Sequence, residues 1–401
     1  MRFSVDGYTA NILKYYLFVG FHAASIWVIA AIWVIYLQEQ RGLSLTQVTL
    51  IDAIFWITMA LAEVPTGVVA DRFGRKISLV IGSFLSTAGS LCYGLAPTVP
   101  WLILANIVWA IALTFISGAN EALLYESLQI VGWEKEYARI TGRAKAISLG
   151  MTAIGSIAGG LLAAIDLFMP FLAATVLGAM TLGIVFTLQE PEIEQKQAGQ
   201  IHMRYPEIVR QATALMRDRR PLRYAVLYLT VIPFVSAVIR ITFLQVQAVA
   251  LGVPVAAVGV FVMAANGAGM LGSLVAYRAG NHFGIPRMIF SIPVLLLICL
   301  VMLVATQTIL SLLLIVVLSL LTEIARPLVT NIIQQAVSSK VRATVLSMQS
   351  LLFTLFLAIT EPALGFVADR FGLSAAYLGL IIILSLFSLF LFWQRRRWLY
   401  T

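Results

Sequence analysis

The sequence predicts an all-α membrane protein, twelve transmembrane helices in two pseudo-symmetric six-helix halves. Three observations lead there. The chain is 61% hydrophobic and 11% charged, with a mean hydropathy of +0.95, so lipid is the solvent for most of it. Apolar stretches of bilayer-crossing length recur along it. One long polar stretch, 189–223, separates six of them from six more.

The spans read as 12–36, 50–70, 77–96, 101–124, 144–165 and 167–188, then 224–251, 255–277, 288–304, 309–329, 345–368 and 374–393. Backbone groups in hydrocarbon must be satisfied within their own segment, which makes each span a helix. The halves are therefore 1–188 and 224–401, with 189–223 as a cytoplasmic linker. In that linker Ile208, Val209, Ala212, Leu215 and Met216 interleave with Arg210, Arg217, Arg219 and Arg220. The spacing fits an amphipathic helix on the inner leaflet, with a plain basic linker as the other reading. Lys14-Tyr15 and Arg223-Tyr224 open the two halves. Arg143-Ala-Lys-Ala-Ile-Ser148 and Arg342-Ala-Thr-Val-Leu-Ser347 open spans five and eleven, a second sign of internal duplication.

Charge gives orientation. Arg41 and Arg370 are the only cations on the outer side, and Arg240 and Arg326 lie within spans. All other Lys and Arg fall on the inner side, which places both termini in the cytoplasm of a multi-pass inner (plasma) membrane protein. The net charge of +9 then reports topology and contact with anionic membrane lipids. Cations scattered over short loops do not make a nucleic-acid surface. Cys92 and Cys299 lie inside spans, so no disulfide framework is expected. The N-terminus lacks a short apolar region with a small-residue cleavage site, and span one is expected to stay as a signal anchor. No zinc spacing, phosphate-cradling loop or Ser-His-Asp arrangement stands out. The expectation is no enzyme, no cofactor and no metal.

The most specific local feature is the turn Gly67-Val-Val-Ala-Asp71-Arg72-Phe-Gly74-Arg75-Lys76 after span two. Its glycines permit close helix approach and unusual backbone angles, and its cations hold it on the cytoplasmic side. Worn copies follow at Asn281-His282-Phe283-Gly284 and Gly365-Phe-Val-Ala-Asp369-Arg370-Phe-Gly372. This turn resembles that of the major facilitator superfamily of membrane transporters, over the whole chain. Glu63-Val-Pro65-Thr-Gly67, Ser117-Gly118-Ala-Asn-Glu121-Ala-Leu-Leu-Tyr125-Glu126 and Glu323-Ile-Ala-Arg326-Pro327 resemble a bacterial efflux-type, drug:proton antiporter-like branch.

The resemblance implies parallel halves with a substrate site between them at mid-membrane. Gly142, Gly155, Gly159 and Gly160 are similar to the glycine-rich antiporter motif, and imply close packing of spans five and eight. Generic small-residue packing accounts for them equally. Two positions depart from the branch: Asn106 stands where an Arg is usual in span four, and span one offers His22 in place of an acid.

Ionisable groups inside spans need partners or a hydrated cavity. Glu323 and Arg326, three apart in span ten, form either an ion pair or a charged cavity wall. Arg240 needs an acid across the bundle or an anionic group to hold. His22 is a packing residue or a proton carrier, and Asp52 a proton site or a hydrated charge at the outer vestibule. Asn120 and Glu121 line the inner cavity. Glu63 and Glu361 precede their turns by four residues beside a proline, which suggests a local backbone or gating role. Trp27, Trp33, Phe115, Phe234, Phe243 and Phe353 form a greasy cavity or pack the bundle.

Two latches are expected. Asp71 caps the start of span eleven near 342–344 while Glu126 holds Arg75, and Asp369 caps the start of span two at 44–47. The leading expectation is a monomeric secondary transporter working by alternating access, coupled to protons, for efflux of small hydrophobic or amphipathic substrates. An importer or facilitator of a polar metabolite, and a non-transporting sensor on a transporter scaffold, are the alternatives.

Overall fold

The computed structural model describes residues 5–191, 210, 220–337 and 339–398. All elements among the described residues are helical, and twelve are long and apolar enough to cross a membrane. The first six are α1 (Gly7–Ala30), α2 (Leu45–Phe73), α3 (Arg75–Leu95), α4 (Val99–Val131), α5 (Glu134–Ala163) and α6 (Met169–Thr187). The second six are α7 (Leu222–Ala250), α8 (Val255–Phe283), α9 (Ile285–Ala305), α10 (Leu310–Gln335), α11 (Val345–Phe371) and α12 (Leu373–Gln394). Most of the amphipathic stretch expected at 208–216 lies outside the described residues.

The turns carry the repeat. Gly74, Gly284 and Gly372, one from each copy of the polar turn, take φ of 103°, 83° and 87°. A side chain is strained there, and glycine is not. Gly42 and Gly252, at φ of 65° and 69°, precede α2 and α8 in the same way. Span one ends sooner than its hydropathy suggests. It breaks after Ala30, and a π-helical turn follows at Tyr36–Gln40. Tyr36 is fully buried there, and its hydroxyl donates to the carbonyls of Tyr93 and Gly94.

The chain forms two units, which differ from the division at 189–223 by two exchanged segments. The first comprises Met1–Tyr36, Ile54–His202 and Val255–Val260. In it α1 packs on α5 and α6, and α3 on α4 and α6. Phe18, Leu79, Ile116, Leu123 and Val185 form one buried cluster, and Tyr15, Leu124, Leu128 and Ile140 another. The glycines of α5 show why this core is tight. A Cβ on Gly155 would lie 2.9 Å from the Ala24 carbonyl oxygen, and one on Gly159 would collide with that of Val28. Gly160 meets α8, where a Cβ would lie 2.8 Å from the Ala256 carbonyl oxygen, and a Cβ on Gly259 of α8 would collide with the Ser156 carbonyl of α5. The expected close packing of α5 on α8 is therefore present at Gly160, while Gly155 and Gly159 serve α1 in addition.

The second unit comprises Leu37–Ala53, Met203–Pro254 and Phe261–Thr401. In it α7 packs on α10, α11 and α12, and α9 on α10 and α12. The start of α2 belongs here as well. A Cβ on Gly365 of α11 would lie 3.0 Å from the Leu45 carbonyl oxygen, so the glycine of the third turn copy lets α11 touch α2.

Candidate functional site

The first polar turn is an ionic lattice. Asp71 Oδ1 accepts from Arg75 at 2.6 Å, and Glu126 Oε1 accepts from Arg75 Nε at 3.2 Å. Glu190 completes it, accepting from the backbone N–H groups of Arg75 at 2.7 Å and Lys76 at 2.6 Å. These are orphan donors at the start of α3, which a carboxylate satisfies while meeting the positive end of the helix. Asn11 straps the same segment through paired hydrogen bonds to the Gln189 backbone, both 3.0 Å. Arg72 lies over the Phe73 ring at 5.4 Å. Glu190 escaped the sequence reading because it opens the linker. An acid beside Pro191, just past span six on the face of the Gly74 turn, was the available signal. The pairing expected between Asp71 and the free N–H groups near 342–344 falls on residues whose side chains lie outside the description.

Asp369 sits at the opposite end of α2. Its carboxylate accepts from Leu45 N at 2.9 Å, Thr46 N at 2.7 Å and Thr46 Oγ1 at 2.5 Å. It is therefore a side-chain cap on the first turn of α2, within the stretch to which the repeat points. Arg370 beside it is exposed.

A second set of charges lies within spans. Arg240 stands on a π-helical segment of α7, Val238–Phe243, the kind of bulge that re-aims side chains at functional sites. Its guanidinium donates to Asn266 Oδ1 of α8. It also lies within electrostatic reach of Glu323 and Arg326 on α10. Glu323 and Arg326 pair at 3.4 Å. Gly269 of α8 makes room, since a Cβ there would lie 3.1 Å from Glu323 Cγ. The structure thus brings Arg240, Glu323 and Arg326 together and adds Asn266, whose Nδ2 has no hydrogen-bond partner among the described residues. Arg326 also borders a cavity of about 240 Å³ with Pro233, Gln349, Ser350 and Phe353. A larger cavity, about 840 Å³, lies at the α8–α9 turn against His282 and Arg287 and holds none of the expected site residues.

Asp52 joins neither set. It lies within electrostatic reach of Glu361 of α11, which is 2% exposed and accepts from Thr242 Oγ1 of α7 at 2.6 Å. Glu361, read from its neighbour Pro362 as having a local backbone or gating role, thus meets side chains of two other helices. In the first unit His22 stacks on Phe18 at 5.7 Å. Asn120 buries an Oδ1 with no hydrogen-bond partner among the described residues, and Glu121 is exposed. Of the aromatic set, Phe234 and Phe243 are fully buried against Phe356 and Tyr377 and belong to the core.

The chain was compared with known proteins. The family model of the Major Facilitator Superfamily matches residues 15–353. An uncharacterized MFS-type transporter, YxaM, of Bacillus subtilis (strain 168) is 29% identical over 163 residues, 41% of this chain and 40% of that protein. Multidrug resistance protein 1 of the same organism is 33% identical over 158 residues, 39% of each chain. The chain therefore matches well under half the length of these curated relatives. A solved structure of a mutant nucleoside transporter, NupG, superposes with a TM-score of 0.82 at 13% identity, covering 96% of this chain and 99% of that one. Likeness at that identity speaks for the fold alone.

Proposed function

This chain belongs to the Major Facilitator Superfamily, and from that premise we propose that it is a secondary transporter exporting small hydrophobic or amphipathic compounds in exchange for protons. It is a multi-pass membrane transporter and not an enzyme. The observation that carries the proposal is the ionic set of Arg240, Asn266, Glu323 and Arg326 within three spans of one unit. Such groups are costly in a bilayer and mark substrate or ion paths. Export is supported by the local similarity to a multidrug resistance protein. The same ionic set favours a second reading, uptake of a polar metabolite.

The protein works in the inner membrane with both termini cytoplasmic, its positive loops against anionic lipids, as a monomer binding a small molecule and protons. Cells overexpressing it, challenged with dyes, drugs and metabolites, should accumulate less of at least one amphipathic dye. An uncoupler should restore accumulation. Higher uptake of a metabolite would move the proposal to import, and no flux of any compound would leave a sensor.

In this reading Asp369 is a latch on the outer side, closed when it caps Leu45 and Thr46. The Asp71–Arg75–Glu126–Glu190 lattice serves the inner side. A helix-end carboxylate contributes about 0.3–1 kcal/mol, and about 2 when partly buried. Asp369→Asn is therefore expected to shift a balanced equilibrium toward outer opening by a factor of about 2 to 30, read as labelling of single cysteines on either face. Unaltered labelling on both faces would remove the latch.

A further inference from the structure

Of the three copies of the polar turn, two carry an acid that is engaged. In the first, Asp71, Glu126 and Glu190 gather around Arg75. In the third, Asp369 is spent on Leu45 and Thr46. The second copy, Asn281-His282-Phe283-Gly284, has Asn281 where the first has Asp71. It opens instead on the cavity of about 840 Å³, and no acid lines that cavity. His282 and Arg287 both line it and are exposed. Arg278, exposed one turn before His282, lies on the same face of α8. Arg287 has no ion-pair partner among the described residues. Pro286 stands where Lys76 of the first copy gives its N–H to Glu190. Proline has no such donor, so side chains and not the helix end must meet an anion here.

The rest of the cavity is greasy. Arg287, Ser291, Val294 and Leu295 fall at i, i+4, i+7 and i+8, a single face of α9. Val294 and Leu295 are 38% and 42% exposed within a span. The Phe290 ring meets Phe392 of α12 at 5.7 Å and closes one wall. At about 1.5 Å per residue the apolar face runs about 12 Å along α9 from Arg287. A cationic end continued by an exposed apolar groove inside a span has the shape and polarity of a phospholipid. Hydrocarbon is the solvent of the groove, so a soluble anion would leave most of it unfilled.

We propose that this groove holds one anionic phospholipid, its phosphate against Arg287 and His282 and an acyl chain along Ser291, Val294 and Leu295. The phosphodiester gives this turn the counter-charge that Asp71, Glu126 and Glu190 give the first. A choline headgroup would bring its own cation toward Arg287, so the site selects for headgroups without one. The assignment to the inner leaflet rests on the orientation read from loop charge. The site itself does not rest on the transport reading.

The test is native mass spectrometry of the purified full-length protein, titrated with dioleoyl phosphatidylglycerol or dioleoyl phosphatidylcholine. Wild type should retain one phosphatidylglycerol severalfold more tightly than phosphatidylcholine. Equal retention of the two overturns the proposal. Arg287→Gln should weaken phosphatidylglycerol by about fivefold and leave phosphatidylcholine unchanged. Arg143→Gln removes an exposed cation of α5 that does not line the cavity, and should change neither. An equal loss in both variants would mean scattered surface charge and overturn the site.

Ser291→Trp fills the groove and keeps both cations, so it should weaken both lipids. Undiminished binding there overturns the seat of the acyl chain. Excess inorganic phosphate or glycerol phosphate should not displace the lipid. Displacement by either would assign a soluble anion and overturn the lipid. Should a variant elute as misfolded, the wild-type preference and this competition decide. None of these readouts uses flux. A retained lipid in a protein that moves no compound would sink the transport reading and leave the lipid site, and flux without a retained lipid would do the reverse.

Discussion

Arg240→Met is expected to abolish transport while leaving a folded protein. The guanidinium lies in a span and is held by Asn266, within reach of Glu323. A substrate with an anionic or strongly polar group would pair there. Removing one member of a desolvated, hydrogen-bonded charge pair costs about 2–5 kcal/mol, which raises an apparent Kd by about thirtyfold at the least. Folding should survive, because Arg326 still faces Glu323 at 3.4 Å and methionine fills similar volume. Arg240→Lys keeps the charge but not the planar fork, so it should fall between the two. Glu323→Gln should lose substrate binding or coupling with intact expression. The check is equilibrium binding and flux of whichever compound the screen returns, beside the elution profile of each variant. Flux at wild-type rate in Arg240→Met would remove the ionic set from the transport path.

The second large effect is structural. Gly159→Ala should cost about 1–3 kcal/mol, the usual range for overpacking, and bulkier residues should prevent folding. The atom in the way is the Val28 carbonyl of α1, and backbone inside a helix cannot turn aside as a side chain does. Gly142 of the same helix has open space around its Cβ position, so Gly142→Ala is the matched control and should leave thermal stability unchanged. Equal unfolding midpoints for the two variants in the same detergent would contradict the close approach of α1 and α5.

These results separate what the chain discloses from what it hides. Hydrophobic length and loop charge disclose helices one at a time, so twelve spans and the polar turn at Asp71–Lys76 are legible. Short-range spacing also discloses Glu323 with Arg326, three residues apart on one face. The repeat of the turn points Asp369 at the beginning of span two, because inverted copies place like ends on opposite surfaces. Pairs between helices are different. Glu361 with Asp52, Arg240 with Asn266, and Glu190 with the start of α3 depend on which faces pack, and no periodicity within one span encodes that. The glycines of α5 were visible as a small-residue stripe and so was the approach of Gly160 to α8, but the second partner, α1 against Gly155 and Gly159, was not. Nor was the break after Ala30, since Ala31–Ile35 is as apolar as the helix before it.

The cap on α2 also has a history. Leu45 and Asp369 are 324 residues apart. At a synthesis rate of about 5–20 residues per second, the ribosome needs about 16–65 s to deliver the carboxylate after the N–H groups it will satisfy. Through that interval the first turn of α2 enters the membrane with its donors open, held by water, lipid headgroups or the insertion machinery. A contact so distant in sequence closes late, so the last helices to be made finish one of the first.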